Sequence, residues 1–211
     1  MSNDPDSPQV LLVEGQDDRH VVLQLYLRTH EDTDFIISDK GGITPLLDSI
    51  SSEVKVAGRR ALGIVLDADE HITDRWTCVA SRLKEAGVIG VPDGPEPEGV
   101  CIEASARLPR VGIWVMPDNE SAGELEHFVR RMVPEGDPVW PLSESYIAGI
   151  PPDVRPFSDN KICRATVYAW TATREQPGRM GAAIKAGYLE TDGALAARFL
   201  GWLQRLFGES D

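Results

Sequence analysis

From residue 9 onward, short uninterrupted apolar runs alternate with longer stretches in which apolar residues recur every three or four positions, the pattern of repeated βα units. The first run, Val-Leu-Leu-Val at 10–13, has no polar alternation and predicts a strand covered on both faces. A helix follows from about Asp17, read as its cap, with Val21, Val22, Leu25 and Tyr26 forming an inward stripe. Phe35, Ile36 and Ile37 predict a second strand, ended by Gly41-Gly42. Thr44 as N-cap and Pro45 at the first helical position predict a helix running to a stop at Gly58. Residues 60–66 predict the third strand, and 72–86 a helix with Lys84 in its last turn and Gly87 as its stop.

Residues 90–99 hold three prolines and three glycines and predict a loop. Residues 100–103 and 111–116 predict two further strands, the second followed by Pro117-Asp118-Asn119. Ser121 and Glu124 have capping-box spacing and open a helix over 124–133. Beyond Pro134 the pattern changes, because prolines at 138, 141, 151, 152 and 156 break 135–157 into turns. Helices are predicted again over 161–172 and 193–207, the latter with Leu195, Phe199, Trp202 and Leu206 on one side. The expected fold is therefore α/β, a mostly parallel central sheet flanked by helices. The expected divisions are a disordered stretch 1–8, an α/β domain 9–133, and a mainly helical extension 134–211 packed on the core, partly through Trp140, Trp170 and Trp202.

Three widely spaced cysteines, Cys78, Cys101 and Cys163, form no disulfide or metal-binding pattern and are expected as buried, reduced thiols. That usage, with no apolar run near the ~18 residues needed to cross a bilayer, points to a cytoplasmic protein without a membrane segment. The formal charge of −13 argues against coating DNA or RNA by bulk electrostatics. Residues 153–186 are the exception: six basic residues against three acidic ones give +3, leaving −16 elsewhere. A polyanion, if bound, is expected there.

The candidate chemistry lies at the strand ends. Ligands of open α/β sheets bind beyond the carboxyl ends of the strands. Glu14, Asp67, Asp69 and Asp118 each follow a predicted strand, Asp18 lies in the first turn of the first helix, and Glu126 lies near the start of the helix after Asp118. Two carboxylates ~4 Å apart repel by about 4 kcal/mol at an effective dielectric of ~20. Protonation or a cation must offset that repulsion, and oxygen-only donors point to Mg²⁺ or Mn²⁺.

Val13-Glu14-Gly15 followed by Asp17-Asp18, with Leu66-Asp67-Ala68-Asp69 after the third strand, resembles the Toprim domain of type IA and II topoisomerases, DnaG-type primases and OLD-family nucleases. Met116-Pro117-Asp118-Asn119 with Gly123-Glu124-Leu125-Glu126 is similar to a stand-alone bacterial Toprim-like group called DUF3226. The resemblance covers roughly 9–133 and implies a Toprim-like Rossmannoid fold. It implies Glu14 as acid/base beside a scissile phosphate and Asp67 and Asp69 as metal ligands, with Asp18, Asp118 and Glu126 as candidates to complete a two-metal site. Lys161 matches the further catalytic lysine of OLD-like nucleases.

The leading expectation is a Mg²⁺-dependent (or Mn²⁺-dependent) phosphodiester hydrolase, a nuclease-like protein of DNA repair or phage defence, with DNA ahead of RNA as substrate. The ATPase domain of OLD proteins and the tyrosine-bearing domain of topoisomerases have no counterpart in the sequence, so a partner ATPase or helicase, or a homodimer, is expected. Two alternatives stay open. Asp67 and Asp69 also have the spacing of the nucleophile and acid of haloacid-dehalogenase-like phosphatases, and the acids could instead serve a non-catalytic metal-binding scaffold in a multi-protein system.

Overall fold

The computed structural model describes residues 7–208. The stretch expected to be disordered falls outside the described residues as far as residue 6. Pro8 is already tied to the sheet, its carbonyl accepting the N–H groups of Arg60 (2.7 Å) and Ala61 (3.1 Å).

The uninterrupted apolar runs become the strands β1 (Gln9–Val13), β3 (Ala61–Asp67) and β5 (Arg110–Met116), with the shorter β2 (Ile36–Asp39) and β4 (Val100–Ile102). They form one sheet in the order β2-β1-β3-β5-β4. The first four are parallel neighbours, and β4 pairs antiparallel with β5. Continuous hydrophobicity is explained by two faces that are both covered. Leu11, Val13, Val65, Trp114 and Met116 point into one core, and Val10, Leu12, Leu62, Ile64, Leu66, Ile113 and Val115 into the other.

The second core is closed by α2 (Ile43–Glu53) and α3 (Ile72–Ala86), which present Leu46, Ile50, Trp76, Val79 and Leu83. The first is closed by α1 (Gln16–Tyr26) and α4 (Leu125–Arg130) together with the helices that follow residue 133. These are α5 (Trp140–Ala148), α6 (Ile162–Thr171, entered through a 3-10 turn at Asp159–Lys161), α7 (Met180–Lys185) and α8 (Ala194–Phe207). Val167, Trp170, Ile184, Phe199, Trp202 and Leu206 share one cluster with the strand residues, so the core is continuous across residue 133. Trp114, Phe199 and Trp202 meet with ring centroids 5.1 to 5.8 Å apart. Full burial of each such side chain contributes roughly 2–3 kcal/mol.

α8 lies against a trough made by two glycines that face each other across β3 and β5. A Cβ on Gly63 would stand 2.4 Å from Leu11 Cδ1, and one on Gly112 would stand 2.5 Å from Leu206 Cδ2. The pair keeps the sheet thin where Leu206 and Phe207 press on it.

Several local expectations are corrected. The first helix is capped by Gly15, whose N–H donates to Asp18 Oδ2 (3.1 Å), and not by Asp17. The second begins after Gly42 and ends at Glu53, because Gly42 takes φ 127°, a conformation closed to a residue with a Cβ, immediately before Ile43. Ser121 does not cap α4; the N-cap is Glu124, and its N–H donates to His127 Nδ1 (3.1 Å). Helix α5 occupies part of the stretch that the prolines read as turns. Pro141 sits in the first turn of α5, where its missing N–H costs nothing. Among the cysteines, Cys101 and Cys163 are half-buried, and Cys78 is exposed, contrary to the expected three buried thiols.

No helix among the described residues is long and apolar enough to cross a membrane.

Candidate functional site

β1 is flanked by β2 on one side and β3 on the other, so the chain reverses its direction of winding between β1 and β3. In open α/β sheets that switch point, at the carboxyl ends of the strands, is where a binding crevice forms. Glu14 leaves β1 there, and Asp67 is the last residue of β3. Glu14 Oε1 accepts the N–H of Asp67 at 2.8 Å, joining two residues that are 53 apart in sequence.

The wall beyond β3 is built by stitching the exits of β3 and β5 together. Ala68 N–H donates to Met116 O (3.1 Å), and Asp69 and Gly123 exchange a pair of backbone hydrogen bonds of 2.9 and 2.8 Å. Gly123 takes φ 143°, and a Cβ there would lie 2.9 Å from the His127 ring, so the crossing requires glycine. The stitch brings the start of α4 over β3, where Leu125 N–H donates to Asp67 Oδ1 at 2.9 Å. Glu124 and Glu126 flank that leucine, and both are buried.

Six carboxylates thus line the crevice, three paired with a cation (the outer set) and three not (the inner set). Each outer acid has one cation: Arg75 for Asp69, Lys161 for Glu124, and Arg164 for Glu126 at 3.3 Å. The inner acids are Glu14, Asp18 and Asp67, and among the described residues none of them forms an ion pair. Each has one oxygen held by a backbone N–H, from Asp67, Gly15 and Leu125 respectively. Asp18 is 7% exposed, and its second oxygen, Oδ1, is buried without a hydrogen-bond partner.

Proton affinities follow from this arrangement. Burial, then the neighbouring Glu14, pushes the Asp18 carboxyl up to about 7. Burial, then Asp18 and Glu14, holds Asp67 well above the usual carboxylate range. Glu14 is raised chiefly by burial, with Asp69 and Glu124 adding to it and the Asp67 N–H and Arg75 opposing it. Burial raises Glu126 despite Arg164. Burial alone would lower Lys161, but its partner Glu124 outweighs it and the ammonium is held protonated.

Of the residues singled out in the sequence, Glu14, Asp18, Asp67 and Glu126 come together. Asp69 and Lys161 stand at the rim, each committed to a partner. Asp118 does not join them. It is buried in its own turn, accepting the N–H groups of Glu120 (3.1 Å) and Ser121 (2.7 Å) and pairing with Arg131 (2.6 Å). Burial would raise its carboxyl, but those N–H groups and Arg131 hold it below its usual range. Its oxygens are satisfied by the loop they shape, which leaves it a structural residue. Glu124 and Arg164 are the site residues that the sequence reading passed over, the first taken as a capping partner and the second only as part of a basic segment. A partial signal was present: Lys161 and Arg164, three apart at the start of a helix, fall on one side of it, and Glu124 and Glu126 lie two apart in another segment. Nothing in the sequence showed that the two segments meet.

The donor chemistry suits a hard divalent cation, since every inner donor is a carboxylate oxygen and one is an orphaned buried atom. The donors are gathered but not closed around a point: among the described residues no group of three or more His, Cys, Asp or Glu side chains is arranged to hold a metal ion.

Two comparisons, with curated proteins and with solved structures, return no match. A family model, described as a protein of unknown function (DUF3226), matches residues 8–208. That span takes in the whole sheet, both cores and every residue of the crevice, and the chain belongs to the DUF3226 family.

Proposed function

We propose that the protein is a divalent-metal-dependent phosphodiester hydrolase with a Toprim-like organisation, using Mg²⁺ or Mn²⁺. The observation that carries this reading is the inner trio of Glu14, Asp18 and Asp67: three gathered carboxylates without a cation among the described residues, Asp18 buried with an orphaned oxygen and the other two half-buried. Burial of unpaired carboxylates is costly, and sites that accept the cost are commonly functional.

Glu14, Asp18 and Asp67 would hold the ion, with Glu126 beside them. The ion supplies neutralisation of phosphate charge and a more acidic bound water. Glu14, pinned through one oxygen and raised in proton affinity by burial, is suited to exchanging a proton with the reacting groups. Lys161 and Arg164 orient Glu124 and Glu126 and keep them from crowding the inner acids. A role in DNA repair or phage defence, and an ATPase, helicase or second copy as partner, rest on the family resemblance alone.

The phosphatase alternative has less support, because Asp67 Oδ1 is held by Leu125 N–H and Asp69, the would-be acid, is paired with Arg75. A metal-binding scaffold without turnover would use the same donors. The test is hydrolysis of a phosphodiester panel, polymeric and small, with Mn²⁺ and Mg²⁺, compared with Glu14→Gln and Asp67→Asn. Metal-dependent turnover lost in both variants is the expected result. Metal binding by calorimetry with no turnover on any diester would favour the scaffold and overturn the hydrolase.

A further inference from the structure

Two adjoining cavities open at the crevice. One, of about 440 Å³, lies over the start of α3 and is lined by Asp69, His71, Asp74 and Arg75; the other, of about 320 Å³, lies before α4 and is lined by Asp69, Gly123, Glu124 and His127. Each is of the size of a small-ligand site, about 300–1,000 Å³. They share Asp69, Glu70 and Asn160, and the Asn160 amide donates to Glu70 Oε1 at 2.7 Å. The segment entering α6 therefore crosses from one wall to the other at the border between the cavities. A second tie in the same segment, Lys161 to Glu124, holds it down.

The charge around these cavities is unsuited to a polymer of phosphates. A nucleic-acid strand is held by successive Lys and Arg contacts that release counterions. The segment 153–186 is where such contacts were expected, but four of its six cations are committed to acids: Arg155 pairs with Asp159, Lys161 with Glu124, Arg164 with Glu126 and Arg174 with Asp137, while the exposed Arg179 and Lys185 line neither cavity. What a flanking phosphate would meet at the cavity walls is Glu70, Asp74 and Glu124. Arg75, which lines the larger cavity, is committed to Asp69.

We infer that the substrate is a small soluble phosphodiester, of one or two nucleotides' size, taken into the cavities beside Asp69, and not a nucleic-acid strand. The inference rests on the hydrolase reading above and narrows its substrate. Only the reacting phosphate needs to approach the inner carboxylates; the rest of a small molecule fits the chambers on either side of Asn160.

The test uses the full chain with Mn²⁺ and Mg²⁺ on four probes: bis(4-nitrophenyl) phosphate, the dinucleotide pTpT, a labelled single strand and supercoiled plasmid. The expected result is a kcat/KM on pTpT at least about tenfold above the per-bond value on the strand, with plasmid intact. Fluorescence anisotropy with the labelled strand gives a readout independent of turnover, where the logarithmic dependence of affinity on salt is expected to have a slope near zero. Cleavage of strand or plasmid as efficient as that of pTpT, or a salt slope of several phosphates, overturns the small-substrate inference and leaves the hydrolase reading standing. Failure to hydrolyse all four probes overturns both.

Discussion

Replacing Asp18 by Asn should stabilise the protein above neutral pH and cost it metal. Asp18 is buried, lies among Glu14 and Asp67, and has its carboxyl raised from 3.8 to about 7. At about 1.4 kcal/mol per pH unit, that rise corresponds to roughly 4 kcal/mol. A raised acid holds its proton in the folded state over a range where the unfolded chain has released it. Its contribution is therefore most favourable below pH 3.8, declines as pH climbs, and reaches its full penalty above about 7. Asn has no charge to bury, its carbonyl can keep the bond from Gly15 N–H, and its amide can donate where Oδ1 is now orphaned. With coupling to Glu14 absorbing part of the effect, the gain at pH 8 should be ~2–4 kcal/mol, or ~4–16 °C in Tm for a chain of this length, shrinking towards zero at pH 4. Urea denaturation at both pH values measures it. Repeating the pH 8 series with Mn²⁺ should stabilise the wild type more than the variant, because the ion binds only the folded state and loses one ligand in the variant. An Asp18→Asn protein no more stable than wild type at pH 8, or stabilised equally at pH 4 and pH 8, would refute the reasoning.

Three further outcomes follow from particular contacts. Lys161→Met leaves Glu124 buried without its cation and should destabilise by about 1–3 kcal/mol, discounted because Lys161 is partly exposed; adding Glu124→Gln should recover most of it in a double-mutant cycle, and simple additivity would count against the pairing. Asp118→Ala should lose about 1–3 kcal/mol of stability, since it strips partners from Ser121 N–H, Glu120 N–H and Arg131, while Mn²⁺ affinity by calorimetry stays at the wild-type value; loss of metal binding in the folded variant would return Asp118 to the site. Gly112→Val drives a side chain into Leu206 and should cost about 1–3 kcal/mol or more in thermal unfolding, with an unchanged Tm showing that α8 does not seat on the sheet as described.

The local pattern determined a good deal. Uninterrupted apolar runs specify strands covered on both sides wherever they sit, so β1, β3 and β5 were readable without a partner in view. An acid directly after such a run must emerge at a strand's end, which located Glu14 and Asp67. Even the antiparallel turn into β5 left a trace: the seven residues between the predicted strands 100–103 and 111–116 are too few for a parallel crossover, which takes a dozen or more.

Strand order was beyond it, because periodicity records how each segment is buried and not what lies beside it. Only the adjacency of β1 and β3 lets Glu14 reach the N–H of Asp67, and only the stitch between Asp69 and Gly123 sets α4 over β3. The same ambiguity misjudged individual acids. Asp118 and Glu126 both follow β5, and sequence offered both as candidates to complete the metal site; packing gave Asp118 its own turn and Arg131, and gave Glu126 the crevice and Arg164. The basic segment looked like a face for polyanions until three of its six cations, Lys161, Arg164 and Arg174, were found turned onto Glu124, Glu126 and Asp137. Composition counts charges, but an ion pair is a distance of a few ångströms, and that distance exists only once the chain has folded.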